Sequence, residues 1–233
     1  MENIYNIPAK PKDASTLIII KKEKKETFVL MGQRPLSSRF MPGVYVFPGG
    51  VSEKEDYLAY KFFDLSANPH IFHKNIKARS KIHGQSLLLT AIRETAEETG
   101  LYLAKKMKYE KKPDSFNQST WINFIKKSYL PNNHKLYFFG RAITPSTLKI
   151  RFHARFFIAF HEDFLGKVKS NGELNNLGWL RLKDVKSKKI ADVTEFMINE
   201  VIKLNDNFSN ISSKKSFPMF TWRRKKRWIK WEN

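Results

Sequence analysis

Residues 91–101 read AIRETAEETGL. Leu88, Leu89, Ile92 and Ala96 recur at helical spacing, and Gly100 sits where a chain leaving a helix adopts a left-handed turn. The spacing predicts a helix over 86–99. On it Glu94, Glu97 and Glu98 stand at i, i+3 and i+4 and so share one face. Like charges that close repel, and a divalent cation reverses the sign of that interaction. Arg93 is placed to hold a carboxylate in a forked pair. The apolar stripe faces a core, so the acids come to the rim of a cleft on a rigid element, which suits catalytic precision. The plain alternative is a solvated acidic face neutralised by lysines. Against it stands the composition: 22 acidic residues are outnumbered by 43 basic ones, so an acidic triplet is unexpected here.

Outward from that helix, STLIII (15–20) and TFVLMGQR (27–34) read as two strands joined through the polar run KKEKKE, a hairpin. VYVF (44–47) alternates and stops at Pro48-Gly49-Gly50, which reads as a strand closed by a tight turn. Residues 52–84 lack periodicity and read as a surface insertion with one short helix near 55–65. Further on come a helix over 117–129 stopped by Pro131, strands over 135–144, 152–160 and 178–182, and a helix over 192–204. A polar linker follows over 205–216. Strands on either side of a long helix, with another helix at the end, predict an α+β chain with a mixed β-sheet packed between helices. One domain over 1–204 with a basic, aromatic extension over 205–233 fits the length of 233 residues.

Hydrophobic residues make up 41% of the chain, enough for a sizeable core. The absence of cysteine excludes disulfides, thiolate zinc sites and cysteine nucleophiles; any metal must sit on Asp, Glu, His or backbone oxygens, and a carboxylate-rich site favours a hard cation such as Mg²⁺ or Mn²⁺. The first twenty residues lack signal-peptide character and no apolar run is long enough to span a bilayer, so a cytoplasmic protein is expected. The net charge of +21 admits nucleic acid, anionic membrane or polyanionic small molecules as partners. It comes from 32 Lys and 11 Arg in a Lys-, Asn- and Ile-rich chain, a bias that base composition also produces, so charge alone selects no partner.

The stretch RETAEETGL resembles the second half of the box of the Nudix hydrolases, G-x5-E-x7-R-E-U-x-E-E-x-G-U with U a bulky aliphatic residue; Thr95 is its one departure. The first half is interrupted. Gly50 and Arg93 are 43 positions apart, roughly thirty more than the box allows. Six on from Gly50 is Asp56, eight back from Arg93 is Gln85, and neither is the expected glutamate. Loop-closure entropy grows slowly with length, about 1–2 kcal/mol for such an insertion, so the interruption is compatible with a working site. Upstream, LMGQRPLSSRFMPGVYVFPGG (30–50) is similar to the pattern of coenzyme A-cleaving Nudix proteins at Leu30, Arg34, Arg39, Gly43, Phe47, Pro48, Gly49 and Gly50. It departs from that pattern at Met31, Gly32 and Pro35.

The resemblance implies an α/β/α sandwich and a metal-dependent pyrophosphohydrolase that splits coenzyme A or an acyl-coenzyme A into 3′,5′-ADP and (acyl-)phosphopantetheine. The Gly49 carbonyl with Glu94, Glu97 and Glu98 would bind Mg²⁺ or Mn²⁺, and Arg93 would position the carboxylates. Arg34, Arg39, Gly43 and Phe47 would form the substrate side. Glu173 is the candidate for a further acid from a later loop, with Glu162 and Asp163 behind it. A homodimer is a family expectation. Alternatives keep the reaction on ADP-ribose, NADH, a dinucleoside polyphosphate or a nucleoside triphosphate, or replace it with RNA binding on a Nudix scaffold. His70, His73, His83, His134, His153 and His161 read as structural or surface residues. WRRKKRWIKW (222–231) interleaves aromatics and cations, a pattern for nucleic acid or an anionic membrane, or for tryptophans packed on the core beneath solvated cations.

Overall fold

The computed structural model describes residues 8–108, 116, 119–204 and 208–233. Its axis is β1 (Lys12–Glu23). Leu17, Ile18, Ile19 and Ile20 are all fully buried, because successive strand side chains point to opposite faces and both faces are covered. Leu17 and Ile19 enter one core, Ile18 and Ile20 the other.

After β1 come β2 (Glu26–Gln33), β3 (Tyr45–Val46), β4 (Gly49–Val51), α1 (Lys54–Phe62) and α2 (Lys81–Thr99). Next are β5 (Leu101–Lys106), α3 (Ser119–Lys126), β6 (Tyr129–Pro131), β7 (Tyr137–Ile143) and β8 (Phe152–Phe160). The chain ends with β9 (Phe164–Gly166), β10 (Asn175–Arg181), α4 (Asp192–Lys203), β11 (Phe217–Arg223) and β12 (Lys226–Glu232). The main sheet runs β10-β2-β1-β8-β7-β11-β12, with β3 beside β2 and β4 beside β1. The β1–β8 and β7–β11 pairs are parallel. A small sheet, β6-β5-β9, lies apart. Helix α2 packs Leu88, Leu89 and Ile92 on one face together with Trp121 and Phe124 of α3, and α4 packs Met197, Ile198 and Val201 on the other. The mixed sheet between helices is the expected architecture. Among the described residues no helix is long and apolar enough to cross a membrane.

Several expectations change. Gly49–Val51 is a strand rather than a turn, paired with Ala14–Thr16 of β1. A Cβ on Gly49 would overlap the Ser15 carbonyl, and its φ of +153° is rare for other residues, so glycine permits a close backbone approach. Residues 52–84 are not simply a surface insertion. Ala59, Phe63, Ile71 and Ile76 join the α2 core, at irregular spacings that no periodicity reveals. The helix α2 starts at Lys81, five residues early, because the Ser80 hydroxyl accepts the His83 N–H and caps it. The 217–232 segment is a hairpin added to the main sheet, and in place of a featureless linker Phe208 and Ile211 pack into the α4 core. Of the helix expected over 117–129, Asn117 and Gln118 lie outside the described residues, Ser119–Lys126 is helical, and Tyr129–Pro131 is strand. Residues 205–207 also lie outside them.

Candidate active site

Arg93 is the centre of the site. It is 1% exposed, projecting from α2 towards β4 and the start of α1. Its Nε donates to Asp56 Oδ1 at 2.7 Å and one terminal nitrogen to Asp56 Oδ2 at 3.2 Å, a forked pair. That second nitrogen also donates to the Val51 carbonyl at 2.9 Å. The other terminal nitrogen reaches Glu94 at 2.9 Å and Glu97 at 3.0 Å. Burial opposes the guanidinium charge, but Asp56, Glu94 and Glu97 together hold it protonated above its ordinary range.

Asp56 is fully buried and also accepts from the Thr90 hydroxyl and the Glu53 amide. It is thus the acid reached by the six-residue count from Gly50 that is held on Arg93. Gln85, the other count, is buried elsewhere and accepts from Asn68 and Asn133, which ties the insertion to the segment before β7. The insertion's first turns thus bring an acid back to Arg93, and the rest loops out and packs.

The three glutamates meet around β4. Glu94 lies against Gly50, where a Cβ would overlap its carboxylate. Glu97 accepts the Thr120 hydroxyl of α3 at 2.7 Å. Glu98 accepts the Gly49 amide at 2.9 Å. Burial pushes the Glu94 carboxyl up to about 7 and the Glu98 carboxyl up to about 8, and raises Glu97 as well; neighbouring acids add to this and Arg93 or the Gly49 amide opposes it. Four acids around one buried arginine leave a deficit of positive charge. Among the described residues no three acid or imidazole groups enclose a point where an ion would sit. Glu97 is drawn to Thr120 and Arg93, Glu98 to Gly49. The donor chemistry does fit Mg²⁺ or Mn²⁺: carboxylate oxygens, desolvated and short of cations.

The substrate-side residues separate. Arg34 donates from Nε to the Phe40 carbonyl and so closes its own loop, and its charge is felt at Glu98. Arg39 is exposed. Gly43 adopts φ +68°, with its amide on the Arg34 carbonyl and its carbonyl on the Gln33 side chain, so it shapes the loop. Phe47 is 3% exposed in the α4-side core and anchors the loop from below, which leaves it no open face for a ligand. Glu173 is exposed on the loop before β10, and its charge reaches both Glu97 and Glu98. Asp163 is paired with Lys135, and Glu162 borders a cavity of about 860 Å³ with Lys21, Tyr137, Phe160 and Phe208. None of the box glutamates lines that cavity, so it is not the site. The histidines form no cluster: His70 stacks on Tyr137, His83 meets Asp13, His134 meets Ser66 and His153 meets Arg141. Thr120 and the Val51 carbonyl carry no local signal in the sequence, whereas Asp56 is reached by the six-residue count from Gly50.

The structure is similar to that of a Nudix hydrolase from Alicyclobacillus acidocaldarius, with 24% identity and a TM-score of 0.66 over 88% of this chain and 96% of that one. A mutator MutT protein from Bacillus halodurans aligns over 94% of this chain and 97% of its own, at 15% identity and a TM-score of 0.50. No family model and no curated protein matches the sequence. The fold is the Nudix fold.

Proposed function

We propose that this protein is a metal-dependent pyrophosphohydrolase of nucleoside diphosphate derivatives, with coenzyme A or an acyl-coenzyme A as its substrate. One observation carries the hydrolase reading: the buried Arg93 gathers Asp56, the Val51 carbonyl, Glu94 and Glu97 from two distant segments, while β4 takes hold of Glu98. A relic has no need of four acids around one buried cation, because each costs desolvation energy.

Mg²⁺ or Mn²⁺, held by Glu94, Glu97, Glu98 and the Gly49 carbonyl, would neutralise the pyrophosphate and make water a better nucleophile. The remaining roles belong to the chain. Arg93 fixes the directions of Glu94 and Glu97. The Gly49 amide holds one oxygen of Glu98 and leaves the other for the cleft. The Thr120 hydroxyl holds the second oxygen of Glu97, which would be shared with a bound ion. Glu173, on its exposed loop, is the acceptor for the proton that water loses. Arg34, whose charge is felt at Glu98, would meet a phosphate, with Arg39 on the same loop. Water adds across the P–O–P bridge and leaves 3′,5′-ADP and phosphopantetheine. Residues 1–204 supply this unit, and 205–233 are an extension built onto its sheet.

The coenzyme A assignment rests on the spacing of residues 30–50 and on the closed Arg34–Gly43 loop. Product analysis tests it. The protein with Mg²⁺ or Mn²⁺ is offered coenzyme A, an acyl-coenzyme A, ADP-ribose, NADH, a diadenosine polyphosphate and a capped RNA, beside Glu98→Gln. Release of 3′,5′-ADP, lost in the variant, is expected. Turnover of a different compound, also lost in the variant, overturns the substrate and keeps the chemistry; no turnover of any compound with either metal overturns both.

A further inference from the structure

We propose that the outer face of the C-terminal hairpin, together with Lys77 of the insertion, binds single-stranded nucleic acid. Two basic segments about 150 positions apart meet at one edge of the main sheet, and a chain of buried contacts brings them together. Arg155 of β8, 1% exposed, donates to the carbonyls of Ile76 and Lys77. Across the β7–β8 pair it stands opposite Arg141. Arg141 holds Glu232 of β12 through two bonds of 2.9 Å. The charge of Lys77 is in turn felt at Glu232.

Strand alternation then sorts the hairpin's side chains. On the face shared with Arg141 and Glu232 stand Lys226, Trp228 and Lys230 of β12, and Arg223 of β11 lies over the Trp228 ring at 3.8 Å. On the other face Arg227 is engaged by Asp192 and Glu195 of α4, and Lys214 lies over Trp231. Glu232 is already matched by Arg141. That leaves Arg223, Lys226 and Lys230, exposed and in no ion pair within 4 Å among the described residues, flanking an arginine-capped indole; the charge of Lys230, like that of Lys77, is felt at Glu232. The turn adds Arg224 and Lys225, both left-handed with φ of 48° and 60°. From Glu232 to Lys226 the strand covers about 20 Å, room for several phosphates.

An aromatic ring set among cations along an open strand is the chemistry of a stacking site on a phosphate track. An anionic bilayer would need apolar side chains on the cationic face. Here the exposed apolar residues of β12, Ile229 and Trp231, point to the opposite one. Diffuse charge from a +21 chain predicts that any lysine matters equally; a built surface predicts that these do.

The test is fluorescence anisotropy of the full chain with labelled single-stranded RNA and DNA of about 20 nucleotides, over about 50–200 mM salt. The double variant Lys226→Glu/Lys230→Glu is expected to bind about tenfold more weakly or worse, with a log–log salt slope shallower by about two. Lys105→Glu/Lys106→Glu, an equal change of charge on exposed residues of β5, is the control and is expected to lose no more than about twofold. Lys77→Glu, on an independent element, carries the test if the hairpin variant fails to fold, with an expected loss of about threefold. No binding, equal losses in the hairpin and control variants, or binding to phosphatidylserine vesicles without binding to either oligonucleotide overturns the proposal. No turnover is measured, so the result stands apart from the hydrolase reading.

Discussion

Two arginines, each 1% exposed, lie on the same side of the sheet and do different work. Arg93 faces Asp56, Glu94 and Glu97, with Glu98 close by. Arg155 faces Asp13 and three backbone carbonyls, of Ile76, Lys77 and His153. The partners of Arg155 balance its charge, and burial lowers its pKa. The partners of Arg93 exceed its charge, and burial, with neighbouring acids adding to it, raises Glu94 and Glu98. A balanced buried pair reads as structure, joining the insertion to the sheet. An unbalanced one leaves charge that a proton or another cation can meet. The charge ledger of the partners therefore separates the two arginines, although their burial is the same.

The largest effect that sharpens this contrast is on turnover. Glu98→Gln keeps an acceptor for the Gly49 amide but removes the surplus charge. Activity is expected to fall by about a hundredfold or more, while the melting temperature of the metal-free protein holds or rises. A fall in both would place Glu98 with the structural acids. Next come the arginines themselves. Arg93→Met leaves the buried Asp56 uncompensated and is expected to cost about 3–5 kcal/mol in denaturant unfolding, whereas Arg155→Met leaves a part-exposed Asp13 that keeps His83 and Arg79 and is expected to cost less. Only Arg155→Met should keep substantial turnover per folded molecule, and equal loss of turnover from both breaks the comparison.

A smaller effect tests how the interrupted box is closed. Asp56→Asn weakens the fork on Arg93 and is expected to cost about 2–4 kcal/mol, against about 1–2 kcal/mol for Gln85→Ala, with turnover impaired by the first alone. The smallest effect is on pH dependence, around the Arg155 end. Burial, with Arg155 and Arg141 beside it, lowers His153 from 6.5 to about 3. Below its unfolded value the unfolded chain takes up a proton that the folded chain refuses, so stability drains between about pH 6.5 and 3. Asp13, held down mainly by His83 and Arg155, adds stability above its ordinary value near 3.8 that is lost as pH falls through its lower folded value. Thermal melts in metal-free buffer should show the first slope and should lose part of it in His153→Gln.

Much of this site could be read locally. The helix, its apolar stripe and the common face of Glu94, Glu97 and Glu98 follow from spacings of three and four residues, which a helix turns into neighbours whatever surrounds it. β8 carries its expected bounds, because its aromatic run suits a strand covered on both faces. The closing acid was not decided by counting: Asp56 and Gln85 each satisfied one end of the box, and only the fold of residues 52–84 placed one of them on Arg93. The glycines of FPGG suggested a turn, yet they serve a strand in which Gly49 passes too close to β1, and Gly50 too close to the Glu94 carboxylate, for any side chain. The hairpin at 217–232 has cations where a turn usually has glycine or asparagine, and its apolar residues do not alternate cleanly, so no local pattern announced it.

By itself the sequence determined the acidic helix, the acids on its face, the absence of thiolate donors and the α+β class, because these depend on contacts within a few residues or on composition. The tertiary structure alone decided which acid completes the box, which arginine carries surplus charge, that Phe47 is a buried anchor, and that Lys77 shares an edge with the hairpin. Those facts depend on pairings across tens to hundreds of positions, where burial and charge balance are set by whichever segments the sheet brings together.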